Sequence, residues 1–127
     1  MAIKIKAVRK TNPNDATLPM RYYPRVVKSG EIDLEMLSEQ ICQSTTVTEA
    51  DCQAVIFALV AKVSLALEQG QIVRLGPLGA FQVSVKGTAS EFPIEVTPKT
   101  IKSVSLIYRP SPRFKKMLAH LKFVKER

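Results

Sequence analysis

The sequence predicts an α+β fold, and three observations carry that expectation. Apolar residues recur with a helical period between Leu34 and Leu67. They recur with period two between Ile72 and Arg109, and again from Ala2 to Arg9. Glycine and proline mark the change of period, at Gly70 and in the run Gly76-Pro77-Leu78-Gly79.

Ala2 to Arg9 alternates Ile3, Ile5 and Ala7 against Lys4, Lys6 and Val8, which reads as a strand. Thr11 to Pro19 collects Asn, Asp, Thr and Pro into a loop, and Arg21 to Val27 reads as a second strand. Pro24 has no N–H for a ladder and places that strand at an edge or bulge. Asp33 is the expected N-cap of a first helix reaching Ser44, with Leu34, Leu37 and Ile41 on one side. Thr48 caps a second helix, Glu49 to Gln69, with Asp51 three residues on as its capping-box acid. Gly70 suits the position after its end.

The second helix is apolar on two sides. Cys52, Val55, Ile56, Leu59, Val63, Ala66 and Leu67 form one stripe, and Ala54, Phe57, Ala58, Ala61 and Leu65 form another. A surface helix of a monomer has water on one side, so the second stripe calls for cover. The simplest cover is a second copy of the chain.

Beyond Gly70, Ile72–Leu75, Phe81–Val85 and Ser103–Arg109 read as three strands. Between the last two, Lys86 to Lys102 offers little to build a core and reads as a two-stranded arm, with Pro93 on an unpaired edge. Ser111 and Pro112 supply the cap and first residue of a last helix, with Phe114, Met117, Leu118 and Leu121 on its packed side. The expected organisation is an N-terminal β-type extension over residues 1–30 and a main domain over 31–127, the arm spanning about 84–103.

Charge narrows the function. Residues 1–30 carry a net +6, residues 31–70 a net −6, and residues 71–127 a net +8, which sum to the +8 of the whole chain. Such segregation suits a polyanion, because each phosphate neutralised releases condensed counterions. Catalytic groups are sparse: His120 stands alone, and neither a nucleophile elbow nor a phosphate-binding loop is present. Glu35, Glu39, Glu49 and Asp51 fall on helix starts and faces, where dipole and solubility roles explain them. Cys42 and Cys52 form no CxxC pair and read as small core residues. No enzyme activity, cofactor, metal or small-molecule substrate is expected. The uncharged run Cys52–Ala61 is short for a membrane span and the N-terminus lacks a signal-peptide pattern, so a cytoplasmic protein is expected. GPLG spells the GXXG of a KH loop, but its flanks are strand-like and no basic residue stands between the glycines. With 6% aromatic residues and no basic–aromatic stacking pattern in the sequence, stacking of single strands is not expected.

Three segments resemble the HU/IHF family of bacterial histone-like proteins. STTVTEADCQAVIFAL, Ser44–Leu59, is similar to the family's helix junction, a Ser or Thr cap and Asp before an apolar dimer helix. EQGQIVRLGPLGAFQV, Glu68–Val83, resembles the G-x-x-V-x-L-x-G-x-G-x-F segment of its saddle sheet, matching at Gly70, Val73, Leu75, Gly79 and Phe81, with Pro77 displacing the usual residue. IYRPSPRFKKML, Ile107–Leu118, resembles the strand end that leads into the last helix, with Tyr108, Pro110 and Ser111 in the aromatic, Pro and Gly places. The likeness covers about Glu31 to Leu121.

The resemblance implies an intertwined homodimer with a helix-turn-helix pair, a three-stranded antiparallel sheet, a protruding β-arm and a C-terminal helix. It implies largely sequence-independent binding of double-stranded DNA in the nucleoid. On this chain the contacts would fall to Arg74, Lys86, Lys99, Lys102, Arg109, Arg113, Lys115 and Lys116. Phe92 or Pro93 would be the wedge, and Phe57, Ala58, Ala61, Leu65 and Phe81 the dimer interface. The chain departs from the family in lacking an R-N-P motif, and its arm sets Glu91 and Glu95 against Lys86, Lys99 and Lys102. DNA binding is therefore expected ahead of sharp bending. The alternatives are a structural or interaction dimer of the same fold that does not bend DNA, and an RNA-binding protein.

Overall fold

A computed structural model describes residues 1–10 and 19–126. Most of the loop expected at Thr11–Pro19 lies outside the described residues. The chain is α+β and divides into two compact units, Met1–Asp33 with Met117–Arg127, and Leu34–Lys116. The division gives the segment after Lys116 to the first unit, where the sequence groups it with the main domain.

The first unit is a three-stranded sheet. β1 (Ile3–Lys10) lies at its centre, with β2 (Arg21–Val26) antiparallel on one side. Pro24 sits on the edge strand β2, where its missing N–H leaves no interior ladder bond unmade. On the other side of β1 runs β6 (Phe123–Lys125), parallel to it, with Ile3 opposite Phe123 and Ile5 opposite Lys125. No strand is expected there from the sequence, because three residues are too few to show a period of two. Ile3 N donates to the Lys122 carbonyl and Glu126 N to the Ile5 carbonyl, both at 2.8 Å, and so complete the pairing.

The second unit begins with α1 (Leu34–Ser44) and α2 (Glu49–Glu68). Thr48 caps α2 as its sequence predicts, Oγ1 accepting from Asp51 N at 3.1 Å. Gly70 follows the helix end with φ +78, a backbone that favours glycine. α2 packs on α1 and on the strands β3 (Val73–Arg74) and β4 (Ala80–Gly87). Cys52, Ile56, Val63, Ala66 and Leu67 are wholly or partly covered there, whereas Val55 and Leu59 of the same stripe are exposed. The second stripe stands open: Ala54, Phe57, Ala58, Ala61 and Leu65 are all exposed, Phe57 at 65%. Among the described residues Cys52, at 7% exposure, is the one apolar side chain of the core that reaches full burial. By length and composition α2 would also suffice to cross a membrane, although the uncharged run within it is short.

β3 is shorter than the expected Ile72–Leu75, because Gly76–Leu78 closes into a 3₁₀ turn directly after Leu75. Gly76 and Gly79 take φ +57 and +119, and Leu75 N donates to the Gly79 carbonyl at 2.8 Å. The run is thus a tight corner between β3 and β4. β5 (Ile101–Arg109) pairs antiparallel with β4 and gives the sheet order β3-β4-β5. α3 (Pro112–Ala119) follows, capped by Ser111, whose Oγ accepts from Phe114 N at 3.2 Å. It stops before Leu121. Phe114 and Leu121 are partly covered, but Met117 and Leu118 are about half exposed.

The arm differs from the expected pair of strands. The β4–β5 ladder slips between Lys86 and Gly87 and ends with Thr88 N bonded to the Thr100 carbonyl at 3.2 Å. Beyond it, Pro93–Glu95 and Pro98–Thr100 each form a 3₁₀ turn. Two prolines, each fixing φ and lacking a donor, favour separate turns over a ladder here.

Candidate nucleic-acid interface

The register of the second sheet sorts its side chains onto two faces, since directly opposite residues in a sheet share a face. Arg74, Ala80 and Arg109 stand in one row across β3, β4 and β5. On the same face follow Gln82 with Ile107, Ser84 with Ser105, and Lys86 with Ser103. The other face carries Val73, Phe81 and Tyr108 in one row, then Val83 with Leu106 and Val85 with Val104. One side is polar and basic, the other almost wholly apolar.

Arg74 and Arg109 flank Ala80, so their Cα atoms lie roughly 10 Å apart, two strand spacings. Ala80 is too small to fill the gap, and a shallow pocket lined by Ile72, Arg74, Ala80, Gln82 and Arg109 opens between the two guanidinium stems. Lys86 stands at the far end of this face, beside the irregular end of the ladder. These three cations are therefore brought together on one surface. Lys102 lies on β5 next to that irregularity, and Lys99 lies in the 3₁₀ turn Pro98–Thr100. Arg113, Lys115 and Lys116 are exposed on α3.

One side-chain bond ties the start of α3 to the corner, and a second ties β5 to it. Ser111 Oγ donates to the Pro77 carbonyl at 2.6 Å while it caps α3. Tyr108 Oη donates to the Leu78 carbonyl at 2.7 Å, and its ring packs on Phe81 with centroids 5.3 Å apart. Phe81, expected at the dimer interface, is thus half-buried within its own chain. A Cβ on Gly79 would lie 2.5 Å from the Arg109 carbonyl oxygen, so glycine lets β5 pass the corner.

At the tip of the excursion Phe92 is 59% exposed and precedes the turn that Pro93 opens. Ile94, inside that turn, is 88% exposed, more than the expected wedge residue Phe92. In sequence, Ile94 lies in EFPIEV within the expected two-stranded arm, where a strand would pair it rather than let it protrude. Among the described residues no group of three His, Cys, Asp or Glu side chains could hold a metal ion.

A basic, polar sheet face backed by an apolar one, and followed in the chain by a helix carrying exposed cations, is suited to phosphate backbones. The chain belongs to the HU-HIG family, described as an HU domain fused to wHTH, Ig, or glycine-rich motif, whose model matches residues 1–125. No curated protein matches it. Its fold is similar to the crystal structure of a candidate bacterial DNA-binding protein from Bacteroides vulgatus ATCC 8482, with a TM-score of 0.68 at 16% identity. The alignment covers 99% of this chain and 50% of that one, so this chain spans about half the length of the similar structure.

Proposed function

We propose that the chain is a non-enzymatic, homodimeric DNA-binding protein that grips double-stranded DNA with little regard to sequence, as a nucleoid protein does. The observation that carries this reading is the row Arg74–Ala80–Arg109, continued by Lys86, on the polar face of the second sheet. Membership of the HU-HIG family supports it, as does the DNA binding ascribed to the similar structure.

The open stripe of α2 supports the dimer. A stable monomer does not leave Phe57 and Leu65 in water on a helix this apolar, while a two-fold partner presenting the same stripe would cover both. Lys99, Lys102, Arg113, Lys115 and Lys116 would add phosphate contacts. Phe92 and Ile94 would be the apolar groups able to enter a minor groove. A second reading, a dimer whose arm binds another protein, is favoured by Glu91 and Glu95 beside the exposed Ile94 and Val96.

Titration of the chain with plain duplex at several salt concentrations tests the proposal. Binding should weaken steeply as salt rises, with a log–log slope of about −0.9 per phosphate contacted. A flat titration sinks it.

A further inference from the structure

The first sheet has faces as unlike as those of the second. Its register sets Lys10 opposite Arg21, Val8 opposite Tyr23 and Lys6 opposite Arg25, with Lys4 next along β1 opposite Val124 of β6. These residues share one face. The reverse face carries Ile3, Ile5, Ala7, Tyr22, Pro24, Val26 and Phe123, with Arg9 and Lys125 as its cations. Five of the seven cations on the three strands thus gather on one side, and the strands contain no Asp or Glu. The nearest acid in the sequence, Glu126, lies just past β6.

All five cations are exposed, and Tyr23 between them is 44% exposed. Lys10 Nζ lies 5.8 Å from the Tyr23 ring centroid. Along the strands, successive rows on one face are about 6.8 Å apart, so a row of two cations stands on each side of the tyrosine row. We infer that this face, with Tyr23 between Lys10–Arg21 and Lys6–Arg25, binds an extended single-stranded nucleic acid. A base would stack on the Tyr23 ring while its flanking phosphates meet the cation rows.

A duplex is matched less well. Its bases are stacked inside the helix and present only edges in the grooves, which a flat sheet face does not enter. A single strand can turn a base outward onto an aromatic ring, the geometry that sequence-tolerant single-strand binders use. The alternation Arg21-x-Tyr23-x-Arg25 is a basic–aromatic pattern, contrary to the expectation that the chain carries none. It becomes a surface only when β1 lays Lys6 and Lys10 beside it.

This site does not depend on the duplex reading of the second unit, and one set of measurements separates them. The full chain is titrated with fluorescent oligo(dT) and with a duplex, as wild type, Tyr23→Ala, Tyr23→Phe and the triple variant Lys6→Gln, Arg21→Gln, Arg25→Gln. Tyr23→Ala should weaken oligo(dT) binding about tenfold, with Tyr23→Phe close to wild type, since the ring and not the hydroxyl carries the stacking. The triple variant should lower the oligo(dT) salt slope by about 2, from roughly 0.7 per phosphate on a single strand. Duplex binding should stay within about twofold for all variants. Should the wild type fail to bind duplex yet bind oligo(dT) through Tyr23, the duplex reading falls and this one stands. Unchanged oligo(dT) binding in Tyr23→Ala overturns it. So does an equal loss for duplex.

Discussion

Ser111 donates its hydroxyl to the Pro77 carbonyl at 2.6 Å and accepts from Phe114 N at 3.2 Å, so one side chain both starts α3 and ties it to the glycine corner. It is 4% exposed, and alanine there would leave a backbone carbonyl and a helix N–H without partners. Ser111→Ala should cost about 1–3 kcal/mol. Urea denaturation would show it as a lower midpoint at unchanged slope, and an unaltered midpoint would refute the double role.

The two corner glycines should respond differently. Gly76 has φ +57 with open space beside it, whereas Gly79 has φ +119 and the Arg109 carbonyl and Tyr108 ring where a Cβ would go. Gly76→Ala should cost about 1–2 kcal/mol of left-handed backbone strain. Gly79→Ala adds a collision with backbone to its strain and should cost more than about 2 kcal/mol. Thermal unfolding in the reverse order would contradict the account of the corner.

Arg74 and Arg109 are expected to act as separate phosphate contacts. Arg74→Gln and Arg109→Gln should each flatten the duplex salt slope by about 0.9, and the double variant by about twice that. Variants that weaken binding without changing the slope would mean that these guanidiniums meet something other than phosphate.

A charge in the open stripe of α2 should break the proposed dimer. Phe57→Glu or Leu65→Glu would bury a carboxylate against its own two-fold copy, an unpaired burial that costs several kcal/mol. Sedimentation should then report one chain where the wild type reports two. A wild type that sediments as one chain removes the dimer reading at once.

At the tip, Ile94→Ala and Phe92→Ala should change duplex affinity little. If either residue enters a groove, end-to-end energy transfer on a labelled duplex will report a smaller bend in the variant. Equal transfer in all variants would assign the tip to another partner.

The features legible in the sequence are those that a few neighbouring residues decide. Thr48 and Asp51 announce α2, and Ser111 and Pro112 announce α3, because capping is a bond between a side chain and a backbone three residues on. The glycine corner was legible for the same reason. What long-range pairing decides was not. Phe123-Val124-Lys125 becomes a strand only because β1 offers its edge. Glu91 to Val96 reads as a strand by composition, yet the ladder has already slipped at Gly87, where a side chain would collide with the Thr100 carbonyl. Of the candidate site, the cations could be named from the sequence, but which of them share a face required the register.

β6 closes the first sheet from the far side of the sequence, and this orders events during synthesis. β1 leaves the ribosome more than a hundred residues before the strand that pairs with its free edge. At roughly 5–20 residues per second, that edge is bare for on the order of 5–20 seconds on every nascent chain. Through that interval β2 is the strand of the native sheet already made that can pair with β1. The lysines that alternate along β1 then discourage strands of neighbouring nascent chains from taking the place kept for Phe123 to Lys125.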